Sequence, residues 1–355
     1  REQTELALPV ADIDVILLDK EQRNFYVANS EGQLAHFDVS NKQSPALVQQ
    51  IQVVAKGEAL TRLEFLTGDI SLLVGDSVGR VSQWTVVRAI SNKPVLTKFR
   101  CFKQLRDDIE FLAPEQIRKG FVALDTNAVL TIYHSTSERV LLSEKVSDAA
   151  PVAITLSPRA NAILVEDANG KVHFFAVHNE HPEISWSSLW GKVWYESYPE
   201  PEYVWQSSSA SNDFEPKFSL TPLVFGTLKA AFYAMIFAVP LAIMGAIYTA
   251  YFMAPRMRRM VKPSIEIMEA LPTVILGFLA GLWLAPIIET HLPGIFSLLI
   301  VLPIGVLAFA LLWQRMPDSV RHPVPEGWDA LLLIPVILVF VMVNGKIVSM
   351  TSSAN

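Results

Sequence analysis

The sequence predicts a multidomain membrane protein in which an all-β, propeller-like domain precedes an all-α, polytopic transmembrane domain. Two observations predict this fold class. Residues 219–355 hold only 8 of the 29 lysines and arginines and 6 of the 35 acidic residues. In the first half, four hairpin-like segments recur 42 to 49 residues apart, which is the spacing of propeller blades. We therefore expect a propeller domain over 1–185, a membrane-proximal segment over 186–218 and a membrane domain over 219–355.

The hairpin segments share one internal spacing. Each begins with Asn or Asp after an apolar run, and has a small residue three positions later, an aliphatic residue five later and an aromatic residue eight later. The first residues of the four segments are Asn29, Asp76, Asp125 and Asp167. Asn, Asp and Gly tolerate the left-handed backbone of tight turns, so each segment reads as strand, turn and strand. A β-sandwich with four unrelated hairpins is the alternative, and the equal spacing favours a propeller. Four blades are few for a closed ring, so we expect the chain to be part of a longer protein.

Composition argues against several functions for the soluble half. Residues 1–218 carry an excess of acidic residues, whereas a nucleic-acid-binding domain needs a basic face. Cys101 is the single cysteine and cannot form an intrachain disulfide. The sequence has no phosphate-binding loop, nucleophile motif or histidine spacing of a metal site. We therefore predict no catalytic, cofactor-binding or metal-binding residues, and expect a binding or spacing module.

An aromatic segment follows the fourth hairpin. It contains Trp186, Trp190, Trp194, Tyr195, Tyr198, Tyr203 and Trp205. Amphipathic rings favour the headgroup level of a bilayer, and an apolar helix begins soon afterwards. We favour an interfacial segment over the alternative, a closing strand packed on the propeller. The composition of 207–213 predicts a flexible linker.

The orientation of the membrane domain follows from its basic residues. A first span is predicted over 221–253, with Thr-Pro at its start as a helix cap. A basic cluster comes directly after it, formed by Arg256, Arg258, Arg259 and Lys262. Because such clusters stay in the cytoplasm, we expect 1–218 to be periplasmic and the chain to cross a bacterial inner membrane.

Three further spans are predicted, over 263–288, 295–313 and 328–345. The second is the most informative. Glu266 and Glu269 share one helix face in it; they either pair with the basic cluster, which we favour, or line a polar pathway. Gly277 and Gly281 form a small-residue face that allows close helix packing. Together with Pro272, these residues are the candidates for a transport path or a helix interface.

The region around the first two spans resembles a known family. The similarity lies in Gly226-Thr227-Leu228, in Val239-Pro240-Leu241 and above all in the run from Lys262-Pro263 to Gly277-Phe278. These residues resemble the start of the permease subunit of phosphate ABC importers, the PstC family. The aromatic segment before them is similar to the long form of that permease, which carries a large periplasmic insertion.

The resemblance implies an ATP-driven importer of inorganic phosphate and a set of partners. These would be a second permease subunit, a cytoplasmic ATPase dimer and a periplasmic phosphate-binding protein, with the lipid bilayer around the helices and no nucleic acid. The chain departs from the family in one respect, because the loop that receives the ATPase is not found before Asn355. The competing hypothesis is a membrane-anchored propeller that acts as a sensor or scaffold without transport.

Overall fold

The computed structural model describes residues 6–88, 93–102, 104–209, 211, 213–317, 334–335, 337–339 and 341–342. The chain divides into two units, Arg1–Ala231 and Phe232–Asn355. In the described residues, the first unit is mainly β-structure and the second is helical.

The first unit contains four successive antiparallel sheets, and in each the strands pair in chain order. The first sheet has β1 (Val15–Leu18), β2 (Asn24–Ala28), β3 (Gln33–Asp38) and β4 (Ala46–Gln52). The second has β5 (Leu60–Phe65), β6 (Ser71–Asp76), β7 (Val81–Arg88) and β8 (Pro94–Cys101). The third has β9 (Ile109–Pro114), β10 (Gly120–Asp125), β11 (Val129–His134) and β12 (Arg139–Lys145). The fourth has three strands in the described residues, β13 (Pro151–Leu156), β14 (Ala162–Asp167) and β15 (Val172–Ala176). Successive up-and-down sheets of this kind are propeller blades, so the predicted fold class is confirmed.

The repeated turn has the same structure in all four sheets. In each, the side-chain oxygen of the Asn or Asp accepts a hydrogen bond from the backbone N–H four residues later. The pairs are Asn29–Gln33 at 2.9 Å, Asp76–Arg80 at 2.8 Å, Asp125–Val129 at 2.8 Å and Asp167–Lys171 at 3.1 Å. The small residue between them has a positive φ, which is 79° at Gly32 and 58° at Ala128. The Asn or Asp therefore serves as an internal brace of the hairpin.

Adjacent sheets bury apolar faces against each other. Because side chains alternate along a strand, neighbouring residues of β6 serve different cores. Leu72 packs with Tyr26 and Leu34 of the first sheet, whereas Leu73 packs with Phe121 of the third. A third core joins the third and fourth sheets, where Val122, Leu124, Leu130 and Ile132 meet Ile163 and Val165. This face-to-face stacking places the four sheets in series.

The far face of the fourth sheet differs from the others. By the repeat, Val172 and Phe174 of β15 correspond to Leu130 and Ile132 of β11, which are buried. Val172 is 61% exposed and Phe174 is 66% exposed. Within the described residues, no fifth sheet covers this face. That the chain is part of a longer protein remains a prediction.

Helices and two short strands follow the propeller sheets. They are α1 (Trp186–Trp190), β16 (Trp205–Gln206), β17 (Lys217–Phe218), α2 (Thr221–Ile247), α3 (Pro255–Glu269), α4 (Thr273–Leu279), α5 (Ala285–Thr290) and α6 (Leu292–Arg315). Two π-helical segments, Tyr248–Phe252 and Ala280–Leu284, continue α2 and join α4 to α5. Three helical stretches of the described chain are long and apolar enough to cross a membrane: Thr221–Phe252, Thr273–Thr290 and Leu292–Arg315. They indicate a multi-pass membrane protein.

The second span differs from its predicted bounds of 263–288. The structure ends α3 at Glu269 and starts the apolar stretch at Thr273. Pro272 explains the break, since it lacks a backbone N–H and disfavours helical geometry at Leu271. Glu266 and Glu269 consequently lie in α3, a helix rich in basic residues, and precede the apolar stretch. The sequence pattern had joined two elements into one.

The other predicted spans compare as follows. The first and third agree with Thr221–Phe252 and Leu292–Arg315 to within three residues at each end. The fourth, over 328–345, lies mostly outside the described residues.

Candidate functional site

The segment from residue 186 to residue 221, called the strap here, connects the propeller sheets to the first apolar helix. It contains α1, β16 and β17 and ends in the first residue of α2. The strap crosses the second and third sheets, where it inserts two acidic side chains into a buried polar cluster. That cluster is the candidate functional site of the first unit.

Glu196 is the central residue of the cluster. Its carboxylate lies 2.6 Å from Lys119 Nζ, and the two side chains are 4% and 3% exposed. The other carboxylate oxygen accepts hydrogen bonds from Ser71 Oγ at 2.5 Å and from Gln83 Nε2 at 3.2 Å. Lys119 Nζ also donates to the carbonyl of Thr67 at 2.5 Å. Both charges are thus compensated, as burial requires.

Glu215 makes the second insertion. It accepts from the backbone N–H of Glu196 at 2.8 Å and from Thr136 Oγ1. Arg100, with no exposed side-chain surface, donates to the carbonyl of Trp194 and, at 3.0 Å, to Ser135 Oγ. Strands β6, β7 and β8 of the second sheet and the loops beside β10 and β11 of the third therefore all contact the strap.

Burial shifts the titration of groups in and beside the cluster. Burial raises the pKa of Glu196, and the nearby Glu215 raises it further, while Lys119 opposes the shift. Burial lowers the pKa of His134 to about 3, and the Arg100 charge acts in the same direction. His134 is therefore neutral at physiological pH.

The aromatic residues of the strap divide into two groups. Tyr195 is buried, Trp194 meets the Phe99 ring with centroids 5.9 Å apart, and Trp194 Nε1 donates to the carbonyl of Tyr198 at 2.8 Å. This part matches the alternative of a closing segment packed on the propeller. The exposed group is Trp186, Trp190, Tyr203 and Trp205. The interfacial interpretation remains open for these four residues only.

The strap holds the first turn of α2. Leu220 N–H donates to the carbonyl of Leu189 at 2.8 Å, and Ser219 N–H donates to that of Val204 at 3.0 Å. Thr221 Oγ1 donates to the carbonyl of Trp190 at 3.1 Å. The start of the apolar helix is thereby fixed to the same segment that inserts Glu196 and Glu215 into the propeller.

The stretch 207–213 differs from the predicted flexible linker. The Asp213 carboxylate accepts a hydrogen bond from Lys20 Nζ and one from Ser211 Oγ at 3.2 Å. A Cβ at Gly68 would meet the backbone of Asp213. The end of this stretch is therefore packed against the first and second sheets.

A cavity of about 190 Å³ lies beside the cluster. Its lining includes Arg118, Lys119, His134, Glu183 and Glu215. Arg118 bonds to Glu115 at 3.0 Å and to the carbonyl of Asn179 at 2.7 Å, so its charge is already compensated. In the part of the chain that the structure describes, no group of three or more His, Cys, Asp or Glu side chains could hold a metal ion.

The residues predicted from the sequence lie elsewhere, in and after α3. Arg256, Arg258, Arg259 and Lys262 occupy its first half, and Arg258 donates to the carbonyls of Ala250 at 2.6 Å and Met253 at 3.4 Å. Within the described residues, no ion pair joins Glu266 or Glu269 to this cluster. The favoured pairing is therefore not seen.

The remaining candidates lie at and after the break. Pro272 caps α4, Gly277 is in α4 and Gly281 is in the following π-helical segment. A Cβ at either glycine would meet no described atom within 4 Å. The structure thus leaves the face of these two glycines open.

Sequence reasoning missed the Lys119–Glu196 cluster altogether. Lys119 is one of many charged residues that precede a strand, and Glu196 stands within an aromatic run. The one available signal is an acidic residue in the middle of a strongly aromatic segment. If that segment packs on the propeller, the acidic side chain needs a buried partner.

Comparisons with known proteins give a partial relative. No family model matches the chain. The chain is 30% identical over 76 residues to the probable ABC transporter permease protein YqgH of Bacillus subtilis (strain 168). The match covers 21% of this chain and 25% of that protein, so the chain spans about a quarter of the curated relative it matches. This similarity supports the class of ABC transporter permeases.

Solved structures similar to the chain include a natural β-propeller domain and a computationally designed protein. The β-propeller domain of Cps50 (Swd1) from Myceliophteria thermophila matches at a TM-score of 0.40 and 13% identity, over 47% of this chain and 51% of that one. The computationally designed Ika4 protein matches at 0.39 and 13%, over 50% and 100%. The propeller assignment rests on the sheet order and the inter-sheet cores described above.

Proposed function

We propose that the chain is the membrane permease subunit of an ATP-driven importer, with inorganic phosphate as its substrate. The observation that carries this proposal is the similarity to an ABC transporter permease. Three helical stretches of suitable length and apolarity support it. Phosphate is favoured by the resemblance of Lys262-Pro263 to Gly277-Phe278 to the PstC family.

In this proposal the chain catalyses no reaction itself. A cytoplasmic ATPase dimer hydrolyses ATP, a second permease subunit completes the path, and a periplasmic binding protein delivers phosphate. The basic cluster after α2 supports a periplasmic location of residues 1–218 in a bacterial inner-membrane protein, because such clusters stay in the cytoplasm. Glu266, Glu269, Pro272, Gly277 and Gly281 are the candidates for the path or for the interface with the second permease.

The strap gives the propeller a role in this proposal. Because Leu220 and Thr221 are hydrogen-bonded to Leu189 and Trp190 near the beginning of the strap, the outer end of α2 cannot shift without moving the strap or breaking these bonds. The buried Lys119–Glu196 pair holds the strap on the second and third sheets. A protein that docks on the propeller could therefore bias the position of the helix start.

Uptake measurements test the proposal. Cells that lack the full-length gene should lose high-affinity uptake of radiolabelled phosphate, and a plasmid copy should restore it. Sulfate and molybdate uptake, measured in parallel, should stay unchanged. Loss of sulfate or molybdate uptake in place of phosphate uptake would indicate a permease for that other anion.

Purification separates the permease from the sensor or scaffold. An affinity-tagged full-length protein should retain an ATPase subunit and a second permease through purification in mild detergent. Unchanged uptake of all three anions together with no retained ATPase would reject the permease and favour the sensor or scaffold.

A further inference from the structure

We propose that the exposed aromatic residues of the strap form a collar that lies in the headgroup layer of the bilayer. The collar consists of Trp186, Trp190, Tyr203 and Trp205. The inference requires that α2 is inserted in a membrane, and is independent of the substrate and of transport. It therefore stands or falls separately from the proposed function.

The local structure holds these rings outward while their neighbours pack inward. Trp186 and Trp190 are four residues apart in α1, and so share one face. A reciprocal cap fixes that short helix, because Ser185 Oγ accepts from Ser188 N–H at 3.0 Å and Ser188 Oγ accepts from Ser185 N–H at 2.8 Å. Trp186 is nevertheless 80% exposed. A large rigid side chain held out of the core by an ordered segment needs an explanation.

Two of the four collar residues, Trp190 and Trp205, are tied to the start of α2 by short connections. The Trp190 carbonyl accepts from Thr221 Oγ1 at 3.1 Å. Trp205 pairs in register with Phe218, and their ring centroids are 6.1 Å apart. Phe218 is three residues from Thr221, which limits the connection to about 10 Å. The collar therefore lies at the level where the apolar helix begins.

The length of that helix sets the depth of the collar in the bilayer. Thr221–Phe252 has 32 residues, and at about 1.5 Å per residue it extends for about 48 Å. Hydrocarbon alone is about 30 Å thick, and the bilayer with its headgroups is about 40–45 Å thick. A helix of this length spans the headgroup layers as well, so its first residue lies at headgroup depth. Trp and Tyr rings favour that depth because one part of each ring is apolar and another is polar.

The surface that the collar contacts is a lipid bilayer and not an apolar groove of another protein. Lys192 Nζ lies 5.9 Å from the centroid of the Tyr203 ring, so the collar contains a cation among its rings. Lipid phosphates can accept from such a cation, and the rings can contact the upper acyl chains. A docked protein is the alternative partner, and accessibility measurements distinguish it from lipid.

Site-directed spin labelling of the full-length protein in vesicles tests the proposal. Cys101→Ser, together with serine at any cysteine elsewhere in the full-length protein, removes the native thiols, and Trp186→Cys, Trp190→Cys or Trp205→Cys then receives a nitroxide. The matched control is Val152→Cys, an exposed apolar position on the fourth sheet. Accessibility is measured to oxygen, which partitions into lipid, and to a water-soluble nickel chelate. Proteoliposomes of phosphatidylethanolamine and phosphatidylglycerol are the probe.

The collar positions should lose accessibility to nickel and gain accessibility to oxygen relative to Val152→Cys. Accessibility to nickel equal to that of the control would overturn the proposal. Protection from both reagents would also overturn it, since that outcome means that protein covers the rings. The protease resistance of each labelled chain is compared with that of the unlabelled protein, to check that the strap stays packed on the propeller.

Discussion

Lys119 Nζ lies 2.6 Å from a carboxylate oxygen of Glu196, although 77 residues separate the two in the sequence. The pair joins the third sheet of the propeller to the strap. It is buried, and every oxygen of the carboxylate has a donor. The consequences for stability can be measured directly.

Removing one member of this pair should destabilise the first unit strongly. Lys119→Met leaves the Glu196 carboxylate buried without its cation, and such changes cost about 3–5 kcal/mol. The free energy of unfolding can be measured by pulse proteolysis of the full-length protein in detergent. Lys145→Met, which breaks the exposed contact with Asp148, should leave it unchanged.

The double variant Lys119→Met/Glu196→Leu should recover most of the loss, because apolar replacements of a buried pair are often neutral. A loss of about 0.5 kcal/mol or less in the single variant, the size of an ordinary surface change, would contradict the view that the pair holds the strap.

Two buried histidines should make the first unit less stable in acid. Burial lowers the pKa of His36 to about 4 and that of His134 to about 3. Below pH 6.5 the unfolded chain binds protons that the folded chain does not, so stability falls as the pH falls toward these values. The slope is at most about 1.4 kcal/mol per pH unit for each histidine.

His36→Gln should reduce this slope between about pH 6.5 and pH 4. The slope is obtained by measuring the free energy of unfolding at several pH values. His178→Gln, at an exposed position, is the control and should leave the slope as it is. Glu196 contributes a slope of the opposite sign. Because its pKa is raised in the folded state, its contribution to stability decreases as the pH rises above 4.5. An unchanged slope in His36→Gln would show that this histidine is not buried as the structure has it.

Two turn glycines with the same backbone should respond differently to alanine. Gly79 and Gly170 have φ values of 78° and 73°, so each variant carries the left-handed strain of about 1–2 kcal/mol. A Cβ at Gly79 would also lie 2.6 Å from the carbonyl of Asp107, whereas nothing lies within 4 Å at Gly170. Gly79→Ala should therefore lose about 1–3 kcal/mol more.

Unfolding of the two variants, measured side by side, isolates the clash because the strain is common to both. Equal losses would mean that the loop containing Asp107 moves aside.

The acidic residues of α3 should affect transport if they line the path. If the proposed importer function holds, Glu266→Gln and Glu269→Gln should each strongly lower phosphate uptake by the full-length protein, as expected for functional ionisable residues at a membrane path. Glu289→Gln, an exposed residue of α5, is the control. Normal uptake by both variants, at equal amounts of protein in the membrane, would remove these residues from the path.

The sequence allowed the propeller and the apolar helices to be predicted because both have local, periodic signals. The Asn or Asp of each hairpin and the apolar runs of α2 and α6 are of this kind. The break at Pro272 was missed because apolarity continues on both sides of it. The Lys119–Glu196 contact was missed because it depends on how the strap folds back over two sheets, and no local pattern records that.

The division of the aromatic segment has the same cause. Composition shows that 186–206 is rich in aromatic rings, but only packing separates Trp194, which contacts Phe99, and the buried Tyr195 from Trp186 and Trp205, which are exposed. Whether Glu266 and Glu269 pair with the basic cluster could not be read from the sequence, for a related reason. Charges on one helix can pair, but rotamers decide whether they do.

The distance in sequence between Lys119 and Glu196 also sets an order of events during synthesis. At about 5–20 residues per second, the 77 residues between them take roughly 4–15 s to emerge. For that time the second and third sheets hold a lysine without its carboxylate. The strap contacts these sheets only when it arrives, and the next residues to emerge are those of α2. The strap therefore packs on the second and third sheets at the moment when the first apolar helix is being made.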